Sequence, residues 1–578
     1  MKLQKKIVWV LVSSLMALSL VLASCAPTTP TTPTTPTTGV NWWDKFGEPQ
    51  YGDTITVRGT RDWSHWDPWF WSNPWPLECL GSLTWTVDPE EFDFKTSYVD
   101  NKYREPCLCE SWEQTDPVTY VFHIRQGVYW QDIPPVNGRE FTAYDVEYHF
   151  HRQLGLGSGF TEPSANFDLG TWKFLESVTA TDKYTVVFKW KQPSLDYAFV
   201  LLDYGYELHI VAREAVEEWG HVDDWRHVIG TGAFILKDYV SGSSVTFVKN
   251  PNYWGYDARH PENRLPYADE LKQLIIPDLA TSLAALRAGK VDMVEDLSWE
   301  QTGSLMKTNP ELIQVSRPYR AGNSLDMRVD TEPFTDIKVR TAMQMAIDLP
   351  TIATTHYGGT VDGKPCGMIG PAVKGHYTPF DEWPEEVKEG YTYNPEGAKA
   401  LLVEAGYPDG FKTNVVTSSN LDLDLLQILK AYLADINVDM DIVVMEPTAF
   451  TAFAGAGKHD QLVFMSDCYA LHMPPSKGLQ RSLTPFRVNY TYNNDLHYNE
   501  MYDEFATSLD EAERTRLVIE MDDYTIAKHW RVNVLPVVNF TVYQPWLKGF
   551  SGEYLRTPGY LYYPRWWIDQ DLKESMGR

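Results

Sequence analysis

From residue 41 onward, short segments of strand periodicity alternate with capped segments of helical periodicity. That alternation restricts the body of this 578-residue chain to a mixed α/β architecture. Tyr120, Phe122 and Ile124 alternate with Val121, His123 and Arg125, and Gly127 closes that strand. Asp278 caps a predicted helix with Leu279, Leu283 and Leu286 on one face, which Gly289 stops ahead of a strand at Val291 to Val294. Asn394 and Pro395 supply a cap and first-turn proline for another helix, which Gly406 ends before the turn Tyr407-Pro408-Asp409-Gly410. Leu517, Met521 and Tyr524 recur at helical spacing near the C-terminus. All of these patterns build core. With 43% hydrophobic residues the composition is that of a folded chain, and the length allows two or more domains.

The N-terminus has a different logic. Lys2, Lys5 and Lys6 precede an apolar run from Ile7 to Val21, and Ala23-Ser24 supply small residues before Cys25. The run falls short of the roughly 20 residues a membrane span needs. Leu22-Ala23-Ser24-Cys25 resembles a bacterial lipobox, which implies cleavage before Cys25 and lipidation of that cysteine. Residues 1–24 are then a lipoprotein signal peptide. Residues 25–40 form a proline- and threonine-rich linker of extended, polyproline-like character. Loss of the three lysines leaves a body more acidic than the −28 of the whole chain, which excludes nucleic acid as a partner and leaves the lipid as the membrane anchor. The expected location is extracytoplasmic, on the periplasmic or outer face of the cell membrane.

Export permits disulfides, and Cys79 with either Cys107 or Cys109 is a candidate pair. Cys366 and Cys468 complete an odd set whose connectivity the sequence leaves open. Catalytic and metal signatures fail on single residues. Gly358 to Pro365 approaches a phosphate-binding loop, but Pro365 stands where a hydroxyl must hold magnesium. Asp435, Asn437, Asp439 and Glu446 have EF-hand spacing, but Met440 replaces the turn glycine. Val438, Met440, Ile442 and Val444 read instead as a strand. No HExxH or GxSxG occurs. No cofactor or metal is expected.

Five ordered segments carry a family resemblance. They are Pro106 to Gly127, continued by Phe141 to Val146; Ile229 to Gly255, with its IGTGAF and NPNYWG phrases; Ala280 to Met293; Pro333 to Asp348; and Tyr393 to Gly410. Together they resemble the family 5 extracellular solute-binding proteins of ABC importers. The resemblance implies a two-lobed periplasmic-binding-protein-like fold of the cluster C type. Lobe one would comprise 41–80 with 228–310 and 531–578, plus an inserted subdomain at 81–227, and lobe two would comprise 311–530. Hinge crossings would fall near 305–320 and 525–540. It further implies a monomer that captures a ligand by lobe closure, delivers it to an ABC permease and catalyses nothing.

The same resemblance places Asp467, followed by Tyr469, where peptide-binding relatives hold an aspartate against the ligand's α-amino group; a loop acid or helix cap is the competing reading. Trp63, His65, Trp66, Trp69, Phe70, Trp71 and Trp75 crowd one segment, and Trp66-Asp67-Pro68 matches a family loop that borders the cleft. Trp66, Trp69 and Trp71 are therefore candidate ligand contacts. An oligopeptide is the leading ligand and an oligosaccharide, stacked on indoles, the alternative. A secreted glycoside hydrolase is the alternative of another class.

Overall fold

The computed structural model describes residues 41–578 apart from 71–74, 97–98, 165–171, 195, 197–200, 203–207, 321, 466–474, 485–488 and 554–558. The leader, Cys25 and the linker lie outside the described residues, as do Trp71, Asp467, Cys468 and Tyr469. The chain divides into two compact units, Met1–Gly47 and Glu48–Arg578. In the first, Trp42–Phe46 is a short 3-10 helix whose Asp44 accepts the Asn41 N–H at 2.8 Å.

Three sheets organise the second unit among the described residues. The largest has seven strands in the order Ile313–Arg320, Val537–Tyr543, Met293–Leu297, Thr54–Gly59, Glu270–Ile275, Ser244–Lys249 and Phe234–Val240. Thr54–Gly59 runs parallel to both of its neighbours, and the outer strands are antiparallel. A five-stranded sheet orders Val438–Met445, Phe411–Ser418, Leu462–Met465, Ser324–Met327 and Arg531–Asn533. A four-stranded antiparallel sheet, Cys109–Asp116, Thr119–Ile124, Thr185–Trp190 and Leu175–Asp182, carries the helix Ala143–Leu154.

The alternation read from the sequence is what buries each sheet. Tyr120, Phe122 and Ile124 are 2%, 0% and 1% exposed, the inward set of a half-buried strand. The helix Leu423–Asp435 sets Leu425, Leu426, Leu429 and Leu433 into one core with Val438, Met440 and Leu462. Each such leucine contributes roughly 1.5–3 kcal/mol on burial. Asp278 caps the helix Leu279–Arg287 through the Thr281 N–H at 2.8 Å, and Asn394 caps Pro395–Glu404 through the Gly397 N–H at 2.9 Å. Asp278→Ala is expected to lower stability by about 1 kcal/mol, seen as a reduced denaturant midpoint at unchanged slope.

The failed motifs are absorbed into ordinary structure. Asp435 ends a helix, Asn437 turns the chain at φ +61°, and Val438–Met445 is a strand. Glu446 caps the next helix through the Ala449 N–H. Gly358 lies beneath the Trp299 indole, where a Cβ would come within 2.3 Å of the ring. Cys79, Cys107, Cys109 and Cys366 are buried, and Cys109 donates its thiol to the Leu80 carbonyl at 3.2 Å. Burial pushes the Cys107 thiol well up and the Cys109 thiol to about 12, so neither is a reactive thiolate near neutrality.

Candidate functional site

The loop that leaves Thr54–Gly59 is pinned at two aspartates. Asp62 accepts hydrogen bonds from Tyr239 Oη at 2.8 Å, Ser241 Oγ at 2.6 Å and the Gly242 N–H at 2.8 Å, fastening the loop to the outer hairpin of the large sheet. Asp67 is fully buried and takes a bidentate pair from Arg152 at 2.9 and 2.7 Å, with further N–H bonds from Trp69 and Val222. Burial pushes the Asp67 carboxyl up, but the His221 and Arg152 contacts outweigh it and hold the group well below the usual carboxylate range. Trp69 lies 5.0 Å from the Arg152 guanidinium and packs on His221.

Between these pins runs a continuous aromatic wall. Trp63 stacks on Trp66 at 5.0 Å and 3°, and its Nε1 donates to Gln273 Oε1 at 2.7 Å. Trp66 meets Tyr239 edge-on, and Trp63 meets Trp75 in the same way. Trp75 continues to Phe247 at 4.8 Å and Tyr563 at 4.6 Å. Trp66 is only 3% exposed, whereas Trp63, Trp69 and Tyr563 are half-buried. Trp66 thus backs Trp63 from behind.

A second cluster on the same sheet is ionic. Arg317, itself buried, donates from one Nη to Glu295 at 3.2 Å and to Asp296 at 3.0 Å. Asp296 sits at φ +58° in a bulge between Val294 and Leu297 that turns two consecutive acids toward one guanidinium. Burial pushes the Glu295 carboxyl up to about 7 against the pull of Arg317, and the same carboxylate acts electrostatically on Tyr563. Sequence reading missed this corner; two adjacent acids in a strand were its one available signal, and such pairs are common on solvated edges.

The corner adjoins the two places where the chain passes between sheets. Arg320 pairs with Val537 in the seven-stranded sheet, Ser324 pairs with Asn533 in the five-stranded one, and between them the Val534 N–H bonds the Asn323 carbonyl at 3.0 Å. Gly322 adopts φ +140°, and a Cβ there would lie 2.5 Å from the Leu535 carbonyl oxygen. Two further contacts join parts attached to different sheets. Trp299 Nε1 donates to the His356 carbonyl at 2.9 Å, and Arg514 Nη2 donates to Asp196 at 2.5 Å. Among the described residues no group of three or more His, Cys, Asp or Glu side chains is placed to hold a metal, and no helix is long and apolar enough to cross a membrane.

Residues 104–489 match the family model described as bacterial extracellular solute-binding proteins, family 5. Heme-binding protein A of Haemophilus influenzae is 30% identical over 343 residues, covering 55% of this chain and 57% of that protein, so the match spans little more than half of that relative. The periplasmic oligopeptide-binding protein OppA of Escherichia coli is 25% identical over 470 residues, 78% of this chain and 82% of that one. The solved structure of the periplasmic binding protein DppA from Helicobacter pylori, in complex with peptide STSA, superposes with a TM-score of 0.70 at 22% identity, covering 90% of this chain and 99% of that one. The fold is the mixed α/β, two-lobed periplasmic-binding-protein fold expected from the sequence.

Proposed function

Since the chain belongs to the family 5 extracellular solute-binding proteins of ABC importers, substrate-binding proteins rather than enzymes, we propose that it captures an oligopeptide between two closing lobes and delivers it to the importer's permease. The seven-stranded sheet anchors one lobe and the five-stranded sheet the other. The observation that carries the reading is the pair of crossings between the seven- and five-stranded sheets, with the Trp63–Trp75–Tyr563 wall and the Arg317–Glu295–Asp296 cluster on the seven-stranded side. A peptide presents side chains, amides and an ammonium at once. The wall suits the side chains and the crossing backbone the amides. Asp467 pairs with the ligand's α-amino group, Tyr469, Trp69 and Trp71 add contacts, and Trp66 stiffens the wall behind Trp63. A relative named for oligopeptide binding, and a structural neighbour in complex with peptide STSA, support the peptide reading.

Native mass spectrometry of the protein as purified tests the ligand. A peptide mass envelope is expected, and it is expected to disappear in Asp467→Ala. A hexose ladder would instead favour the oligosaccharide reading, and product formation on incubation with oligosaccharides would favour a hydrolase. Cys25 is proposed as the lipid anchor that keeps the protein near its permease at high effective concentration. Cys25→Ser is expected to move the protein from the membrane fraction to the soluble extracytoplasmic fraction, measured by fractionation and immunoblot.

A further inference from the structure

Sharing no residue with the aromatic wall or the Arg317 cluster, a cavity of about 430 Å³ opens where two of the family-like segments converge. Gly127, at the end of one segment, and Asn252 and Trp254, in the other, line it together with Tyr129, Asp132, Asn137 and Arg264. The volume falls within the roughly 300–1,000 Å³ of small-molecule sites.

Its walls are prepared in advance. Trp254 is locked by its Nε1–H donated to the buried Glu78 at 3.3 Å and by the Arg125 guanidinium 4.9 Å from its ring. Tyr129, in an isolated bridge with Glu140, lines the cavity with it and leaves half its surface exposed. Trp130 forms the floor at 2% exposure. The polar rim is equally defined. Arg264 is oriented by its Nε donation to the Tyr253 carbonyl at 2.5 Å, which leaves its terminal nitrogens as donors. Asn137, held at φ +53° by a bond to the Pro135 carbonyl at 2.8 Å, keeps its amide oxygen as an acceptor. Asp132 is exposed, and no residue among those described occupies its carboxylate.

We propose that this cavity is a second binding site and that its ligand is a neutral saccharide unit. Ring faces of Trp254 and Tyr129 suit the C–H faces of a sugar. One carboxylate, two side-chain amides and one guanidinium supply the mixed acceptors and donors that adjacent hydroxyls satisfy in pairs. A fatty or purely apolar ligand would leave those four polar groups desolvated and unmatched. The site goes beyond the transport reading: on an extracytoplasmic protein it would hold the body against surface or environmental glycan while the recess between the lobes takes its own cargo.

Isothermal titration of the full-length protein in detergent with maltotriose, cellotriose, xylotriose and diacetylchitobiose tests it. At least one of the four is expected to saturate at one site. Tyr129→Ala and Asp132→Ala, both at exposed positions that the fold does not depend on, are expected to weaken that binding at least tenfold while the peptide envelope in native mass spectrometry is unchanged. No saturation by any of the four would overturn the proposal. So would saturation that both variants retain, since the sugar would then occupy another site. The transport reading stands or falls separately on the peptide envelope.

Discussion

Asp67→Ala is expected to lower unfolding free energy by roughly 3–5 kcal/mol, the cost of leaving a buried guanidinium without its counter-charge. Arg152 and Asp67 are 1% and 0% exposed and share two hydrogen bonds, so solvent cannot replace the lost carboxylate. The consequence reaches the aromatic wall. Asp67 also accepts the Trp69 and Val222 N–H groups, so its loss frees the loop that carries Trp63 and Trp66. Denaturant unfolding should show the reduced midpoint, and ligand affinity should fall with it. The pH dependence has a definite sign. Because the folded carboxyl lies below its unfolded value near 4, its contribution is complete above that pH and declines as pH falls below it. Asp67→Asn should therefore flatten the acid limb of the stability profile; an unchanged limb would show that the pair contributes nothing.

Gly322→Val is expected to weaken ligand binding roughly tenfold or more, with a smaller loss of stability. A side chain at φ +140° costs on the order of 1–3 kcal/mol, and its Cβ would press on the Leu535 carbonyl at 2.5 Å. Relief requires the two crossing segments to separate, which breaks the Val534–Asn323 bond at the proposed pivot of closure. Calorimetry would give the affinity, and small-angle scattering with and without ligand would give the closure. A variant that closes and binds as the parent does would remove the crossings from the proposed mechanism.

Much of the scaffold was legible from local sequence because its causes are local. The caps at Asp278 and Asn394 act within three residues, and the strand of Tyr120, Phe122 and Ile124 follows from the period-two geometry of an extended chain. The EF-hand-like spacing at Asp435 could be set aside for the same reason: alternation through Val438 and Met440 already demanded a strand. The tryptophan segment was legible as a cluster, though not as a division of labour. Trp66 and Trp63 are three residues apart in sequence, and only packing against Tyr239 and Gln273 decides which of them is enclosed.

By itself, then, the amino-acid order determined the class of fold, the capped helices, the alternating strands, and the expectations of an export leader and a lipid anchor. All of these rest on neighbours within a few positions or on a recurrent phrase. Tertiary structure alone decided that Trp63 joins Trp75 and Tyr563 in one wall and that Glu295 faces Arg317, although hundreds of residues separate Trp63 from Tyr563. Those contacts are set by strand order and register in a sheet assembled from both ends of the chain. No local periodicity encodes such an order: the free energy that selects it comes from burying whole faces at once.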